Sequence, residues 1–163
     1  MNDQELTNSL TNLGVYFLAR GDTTSELAVS PDSLLVDLAR HHHARFRLAL
    51  IPLFLTRPDF ADLVQIAMRQ LDKPAQITLS CYYHAAHFLR QKNQNQLTEI
   101  FGYQPLLPNL FEANLAFDGV TADENLHQLA NQHAVLTNRF INWYGTYEHA
   151  FQRLIKTQLF QQN

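Results

Sequence analysis

Phe46-Arg47-Leu48-Ala49-Leu50-Ile51-Pro52-Leu53-Phe54-Leu55 is the stretch on which the fold turns. Its first residues alternate apolar and polar, as a half-buried strand does, and the rest is continuously apolar. Two observations favour a helix. The run continues a helical pattern on its N-terminal side, and the chain holds no second strand-like run to pair with it. Pro52 then marks a kink or a helix start. Arg57-Pro58 breaks the run, because the residue before a proline avoids the helical region. The expected fold class is therefore all-α.

On the N-terminal side, Ser30-Pro31 reads as a helix cap followed by the first helical position, with Leu34, Leu35 and Leu38 leading toward His41-His42-His43. An earlier helix is expected from Asp3 as N-cap, with Glu5 in its first turn. Leu6, Leu10, Leu13 and Phe17 form its stripe, Arg20 lies in its last turn, and Gly21 takes the left-handed closing position. On the C-terminal side, a helix beginning at Pro58 carries Asp59 and Asp62 in its first turn and Phe60, Leu63, Ala67 and Leu71 inward. Asp72-Lys73-Pro74 is the next break.

The helix after Pro74 has two apolar stripes. One is Ala75, Leu79, Tyr82, Ala86 and Leu89; the other is Ile77, Cys81, His84 and Phe88. A helix apolar on two sides belongs at the centre of its bundle. Residues 91–98 are amide-rich and read as a fraying end and a turn. The connector 102–120 is too apolar to lie in solvent, and Asn109 with Glu112 is expected to cap a short helix inside it. Thr121-Ala122-Asp123-Glu124 is a capping box, followed on one face by Leu126, Leu129, His133, Leu136 and Phe140. A last helix runs through Trp143, Tyr147, Ala150 and Leu154 to about Phe160. The expectation is one helical bundle of about six to eight helices spanning residues 1–163.

Composition bounds the function. Apolar residues make up 46% of the 163 positions and charged residues 17%, below the ~25% usual for a globular chain. Amides supply the remaining polarity, with 14 Gln and 12 Asn. Such a chain is too apolar and too weakly charged for disorder. Its apolar runs, about ten residues at most, are too short to cross a bilayer. Cys81 stands alone, so neither an internal disulfide nor a cysteine-built zinc site is available. A net charge of −3 argues against a generally basic nucleic-acid binder. The acidic, polar start Met-Asn-Asp-Gln-Glu is unlike a targeting leader, and a cytoplasmic location in a bacterial cell is expected.

Eight histidines raise the question of metal. His84 and His87, three apart on one helix, are the weak candidates as ligands, but no His-Glu-x-x-His arrangement accompanies them. The plainer reading is that His84 is a hydrogen-bonded core or groove histidine and that His87 stacks on Tyr83 one turn back. No metal and no cofactor is expected. The His41–His43 triplet lies in a basic stretch with Arg40, Arg45, Arg47 and Arg57, and no acid falls between Asp37 and Asp59. Arg40 and Arg47 share a helix face with His43 between them. The strip Arg40, His43, Arg47 and Arg57 is a candidate site for a phosphate or an acidic partner; the plainer alternative is cations closing a helix end and pairing with Asp32 or Asp37. Trp143 and Tyr147 are the second candidate binding surface, since Trp and Tyr anchor interfaces, although a core role is the simpler reading. Gly145 between them costs ~1 kcal/mol in a helix, which suggests close approach by another helix.

Signatures of catalysis are missing. There is no Gly-x-Ser-x-Gly elbow and no glycine-rich phosphate loop. Cys81 sits on the central helix, where a buried, inert thiol is expected. The carboxylate pairs Asp59/Asp62 and Asp123/Glu124 stand at helix starts, where capping explains them.

Cys81-Tyr82-Tyr83-His84-Ala85-Ala86-His87-Phe88-Leu89 resembles a helix of the small bacterial HEPN-type helical domains, in which a Tyr-Tyr pair precedes a small-residue and aromatic run. The resemblance covers nine residues. It implies an all-helical protein working beside a minimal nucleotidyltransferase, and in some members a ribonuclease. Those ribonucleases carry an Arg followed four to six residues later by a His. None of the nine arginines here has that spacing, so the resemblance implies a partner or a ligand-binding role rather than the nuclease.

The expected function is thus a non-catalytic helical binding protein whose partner is another protein or a second copy. The alternatives are a histidine-based metal enzyme or sensor, and a nucleotide- or RNA-binding domain using the Arg40–Arg57 strip.

Overall fold

The computed structural model describes residues 1–16, 30–110 and 115–162, and every regular element among them is helical. The first, α1 (Asp3–Asn12), is capped by Asn2 and not by Asp3. Asn2 Oδ1 accepts from Glu5 N at 2.8 Å and Glu5 Oε2 accepts from Asn2 N at 2.9 Å, a reciprocal box. The helix stops earlier than expected, because Gly14 takes φ +86° and Val15 N returns to Leu10 O at 2.8 Å. Leu6 and Leu10 are buried as expected; Phe17, Arg20 and Gly21 lie outside the described residues.

Ser30 and Pro31 open α2 (Pro31–Ala39) in the cap and first positions. The Phe46–Leu55 run is helical, divided into α3 (Ala44–Leu48) and α4 (Leu50–Thr56). Pro52 places the break: it has no N–H to return to Leu48 O, and its ring displaces that carbonyl. The alternating start lies in α3, where only Phe46 is buried, whereas all residues from Leu50 to Leu55 are buried, so the continuous apolar run belongs to a helix enclosed on all sides.

After Arg57 the chain departs from the expected α-helix. Pro58–Leu63 winds as a 3₁₀-helix and only Val64–Met68 (α5) is α-helical. Ala61 and Val64, three apart and both buried, suit the three-residue turn.

Asp72 caps α6 (Lys73–Lys92) by accepting from Ala75 N at 3.1 Å, with Pro74 in the first turn. Both stripes of α6 are buried apart from the half-buried Ile77, and the helix packs against α2, α4, α5 and the three helices that follow it. It is the axis of the bundle. Of residues 91–98, expected as a fraying end and a turn, Gln91 and Lys92 end α6 and Asn93 makes the turn, but Gln94 onward forms α7 (Gln94–Phe101). Leu97 alone is fully buried there, and one anchor in an amide-rich run leaves no periodicity to read. Gly102, at φ +74°, ends it.

The connector is held to the bundle through α6. Tyr83 Oη donates to Pro108 O, His87 Nδ1 lies 2.7 Å from Leu107 O, and Arg90 bonds Gln104 Oε1 at 2.9 Å and Leu55 O. Leu107 and Leu115 are buried. The helix expected from Asn109 and Glu112 falls on 111–114, outside the described residues.

Thr121 caps α8 (Ala122–Thr137), accepting from Glu124 N at 3.1 Å. The return arm reaches one residue further back than a capping box predicts, to Val120 N at 2.8 Å. Asn138 ends α8 in the left-handed region, φ 54°. Phe140 therefore lies beyond the helix and is exposed, and Leu136 is exposed as well; the buried stripe ends at His133. The last helix, α9 (Trp143–Gln162), explains Gly145. Asn142 Oδ1 accepts from Gly145 N at 2.9 Å, and a Cβ on Gly145 would stand 2.5 Å from Asn142 Nδ2. The helix's own cap, not a second helix, requires glycine there. With α3–α4 taken as one bent rod and the 3₁₀ turn joined to α5, the described residues form eight rods of a single bundle, and none is long and apolar enough to cross a membrane.

Candidate anion-binding groove

The start of α6 lies beside the end of α8 and the turn between α2 and α3. Between them is a groove of about 620 Å³. Four elements bring cations to it: Arg40 and Arg47 from the two sides of the histidine triplet, Lys73 from the first turn of α6, and Arg139 just after α8. Asp72 is the one carboxylate of the lining, and it is engaged in capping α6.

Each cation is placed by local structure. Arg40 pairs with Asp37 one turn back, at 2.8 Å. The Arg47 guanidinium donates to His41 O at 2.7 Å and His42 O at 2.9 Å, which closes the α2–α3 turn and holds one edge of the guanidinium. Lys73 and Arg139 are exposed and have no ion pair among the described residues. Setting aside Arg40, which shares Asp37 with the N-terminal ammonium, and counting Asp72 against the rest, Arg47, Lys73 and Arg139 leave at least two positive charges without compensation.

The floor is aromatic. His133 stacks on Trp143 with ring centroids 3.6 Å apart and meets Tyr82 edge-on at 5.6 Å. His133 Nδ1 lies 2.6 Å from the Tyr147 hydroxyl. That hydroxyl is fully buried and has no other acceptor among the described residues, and leaving an O–H unpaired there would cost about 1–3 kcal/mol. Tyr147 therefore donates to Nδ1, and the ring proton of neutral His133 sits on Nε2. Burial, reinforced by the charge of Arg139, depresses the His133 pKa to about 4. At neutral pH the ring is thus an N–H donor and not a base. The Tyr82 hydroxyl makes no hydrogen bond among the described residues; burial pushes its pKa up to about 12 against the opposing pull of Arg47 and Arg139. Ile77, Pro74 and Leu136 add an apolar wall. The groove offers cations and neutral donors around a dry base, which is the chemistry of anion capture.

The candidate residues read from the sequence divide around this groove. Arg40, Arg47 and Trp143 line it. His43 is exposed and outside the lining; its ring stacks on His41, which does line the groove, and meets His42 at a tilt. Arg57 is apart from it, paired with Asp59 through two hydrogen bonds of 3.0 and 2.8 Å. Tyr147 is a core residue under the floor, not a surface anchor, because its ring is enclosed and its hydroxyl spent on His133. Lys73, Tyr82, His133 and Arg139 were not singled out; only the packing of α6 beside α8 unites them, and nothing in the spacing of either helix announces that pairing.

His84 and His87 each spend one ring nitrogen on a backbone carbonyl. His84 Nδ1 is bonded to Ser80 O at 2.8 Å and His87 Nδ1 to Leu107 O at 2.7 Å, and burial lowers both pKa values. Among the described residues no group of three or more His, Cys, Asp or Glu side chains is placed to hold a metal. Cys81 is buried and its thiol is pushed up to about 12 by desolvation, far from the thiolate that nucleophilic chemistry needs. No family model, no curated protein and no solved structure matches this chain.

Proposed function

We infer that this chain is a helical binding protein that works by receiving an acidic group of a partner in the groove. The observation that carries the reading is the set Arg47, Lys73 and Arg139: three cations from three elements face one cavity with a single, already engaged carboxylate. A net charge of −3 over the whole chain makes this local excess the more selective for an anion. Leu136 of the lining is exposed, as are its chain neighbours Val135, Phe140 and Ile141, and exposed apolar side chains add area to a protein interface. The likeness of Cys81–Leu89 to HEPN-type domains suggests a minimal nucleotidyltransferase as one such partner; the groove sets the condition that the partner present an anion.

The experiment follows the fluorescence of Trp143, the one tryptophan of the chain, during titration with hexaglutamate, citrate and inorganic phosphate. Saturable, salt-sensitive changes in the parent, lost when Arg47 and Arg139 are both changed to Glu, support the reading. A parent that responds to none of the three anions removes it.

A further inference from the structure

We propose that the anion recognised in the groove is the dianion of a phosphate monoester, held by Arg47, Lys73, Arg139 and the Nε2–H of His133, with the ester's organic body against Ile77 and Leu136. This rests on the reading of the groove as an anion site and narrows it to a ligand class.

Charge is the first argument. After Arg40 is set against Asp37, which also receives the N-terminal ammonium, and Asp72 is counted, the groove holds at least two uncompensated positive charges. A carboxylate neutralises one; a phosphate monoester, whose second ionisation lies near pH 6, neutralises both at neutral pH. Donor geometry is the second. A carboxylate is planar and is satisfied by one guanidinium fork. Here the Arg47 fork is partly committed to the His41 and His42 carbonyls, while further donors stand on the start of α6, on α8 and beyond its end. Donors spread over separate elements suit three tetrahedral oxygens better than two coplanar ones. The third is His133. His133 lines the groove and its depressed pKa keeps it neutral, and with Nδ1 accepting from Tyr147 its one N–H is on Nε2, so it adds a donor without a third positive charge. Tyr82 adds a hydroxyl with no other partner among the described residues. The Ile77 and Leu136 wall is matched to an organic body, which inorganic phosphate lacks.

The test uses the full chain at a pH of about 7.5, with Trp143 emission as readout, and compares phenyl phosphate, inorganic phosphate, a phosphoserine peptide, benzoate and hexaglutamate. Phenyl phosphate is expected to bind roughly tenfold more tightly than benzoate, the worth of about one extra charge-assisted hydrogen bond. Arg139→Gln and, separately, Lys73→Gln should each weaken phenyl phosphate by roughly tenfold, and by clearly more than they weaken benzoate. Both positions are exposed, and unchanged melting of the two variants verifies their folding. A phosphoserine peptide binding more tightly than phenyl phosphate assigns the ester to a partner protein; the reverse order assigns it to a small molecule. Either order supports the proposal. Phosphate esters binding no better than benzoate, while hexaglutamate still binds, would overturn it and leave the acidic-group reading in place. Silence toward every anion overturns both.

Discussion

The two ends of α6 carry the same chemistry to opposite ends of the bundle. At its C-terminal end, Lys92 Nζ reaches Asp123 at 2.7 Å, Glu148 at 2.7 Å and the Tyr144 hydroxyl at 3.2 Å, and that hydroxyl donates to Asp123 at 2.6 Å. His127 closes the group by stacking on Tyr144, centroids 3.8 Å apart. One cation meets two carboxylates, and the network ties α6, α8 and α9 together. At the N-terminal end, three cations meet one carboxylate that is already spent on a cap. A closed set of charges is a fastening. An open set holds repulsion that the fold tolerates and an anion would relieve, and that difference is why binding is proposed at one end of the helix.

The comparison presupposes that α6 is the shared axis, and the largest expected effect tests this. Leu79 is fully buried and Phe88 nearly so, both between the two ends. Leu79→Ala and Phe88→Ala should each cost ~2–5 kcal/mol, lost transfer energy plus a cavity, read by urea unfolding. Two variants that melt with the parent would mean that α6 is peripheral and its ends unrelated.

Acid should separate the ends. Unfolded His133 takes its proton near pH 6.5, while in the fold it resists until about pH 4. Between those values the unfolded state binds more protons, so stability falls as pH is lowered through the window, by up to about 3 kcal/mol in all. The charged and titratable groups around the ring are Arg139, Tyr82 and Tyr147, and neither tyrosine titrates in that range. His84 and His87, also depressed by burial, act with the same sign. At the other end Asp123 is held low by its bonds to Lys92 and Tyr144, so its contribution persists to lower pH and fades only as pH falls through its depressed pKa. Urea midpoints of the parent should drop between about pH 6.5 and pH 4, and less steeply in His133→Gln. Equal slopes would remove His133 as a cause.

Much of the fold was legible in the sequence because it rests on local rules. Ser30-Pro31 and Thr121 open their helices for reasons contained in a few residues, and the double stripe of α6 announced a central helix; Asp72, legible only as part of a break, proves to be the α6 cap. The misses have local causes too. Asn2 competes with Asp3 for the first cap and wins by forming a reciprocal box with Glu5. Gly14 ends α1 before the stripe runs out. The amides of α7 hide a helix anchored by Leu97 alone. The groove was half legible: Arg40 and Arg47 stand out against a stretch without acids, but Lys73 and Arg139 are far apart in sequence and gain meaning only when α8 lies along α6. Trp143 and Tyr147 form an aromatic pair in sequence that the fold divides between groove wall and core.

Lys92→Ala should cost about 1 kcal/mol, the scale of a partly exposed ion-pair network, and less at high salt. It should leave the Trp143 titration with phenyl phosphate unmoved. A loss of affinity as large as that of Arg139→Gln would show that the two ends are not independent.

The smallest expected effect is the most diagnostic. Arg139 is exposed, has no ion pair among the described residues, and stands near Arg47 and Lys73 around one cavity. Its charge also disfavours protonation of His133. Removing it subtracts like-charge repulsion and breaks no described hydrogen bond. Arg139→Gln should therefore raise stability by a few tenths of a kcal/mol, within the range of surface changes and in the sense expected where a binding site is kept at the expense of stability. The gain should be present at low ionic strength and vanish near 1 M salt, where the screening length is about 3 Å. Paired urea titrations of parent and variant at the two ionic strengths measure it. A loss of 1 kcal/mol or more would give Arg139 the fastening role that Lys92 has, and the N-terminal end of α6 would then be as closed as the other.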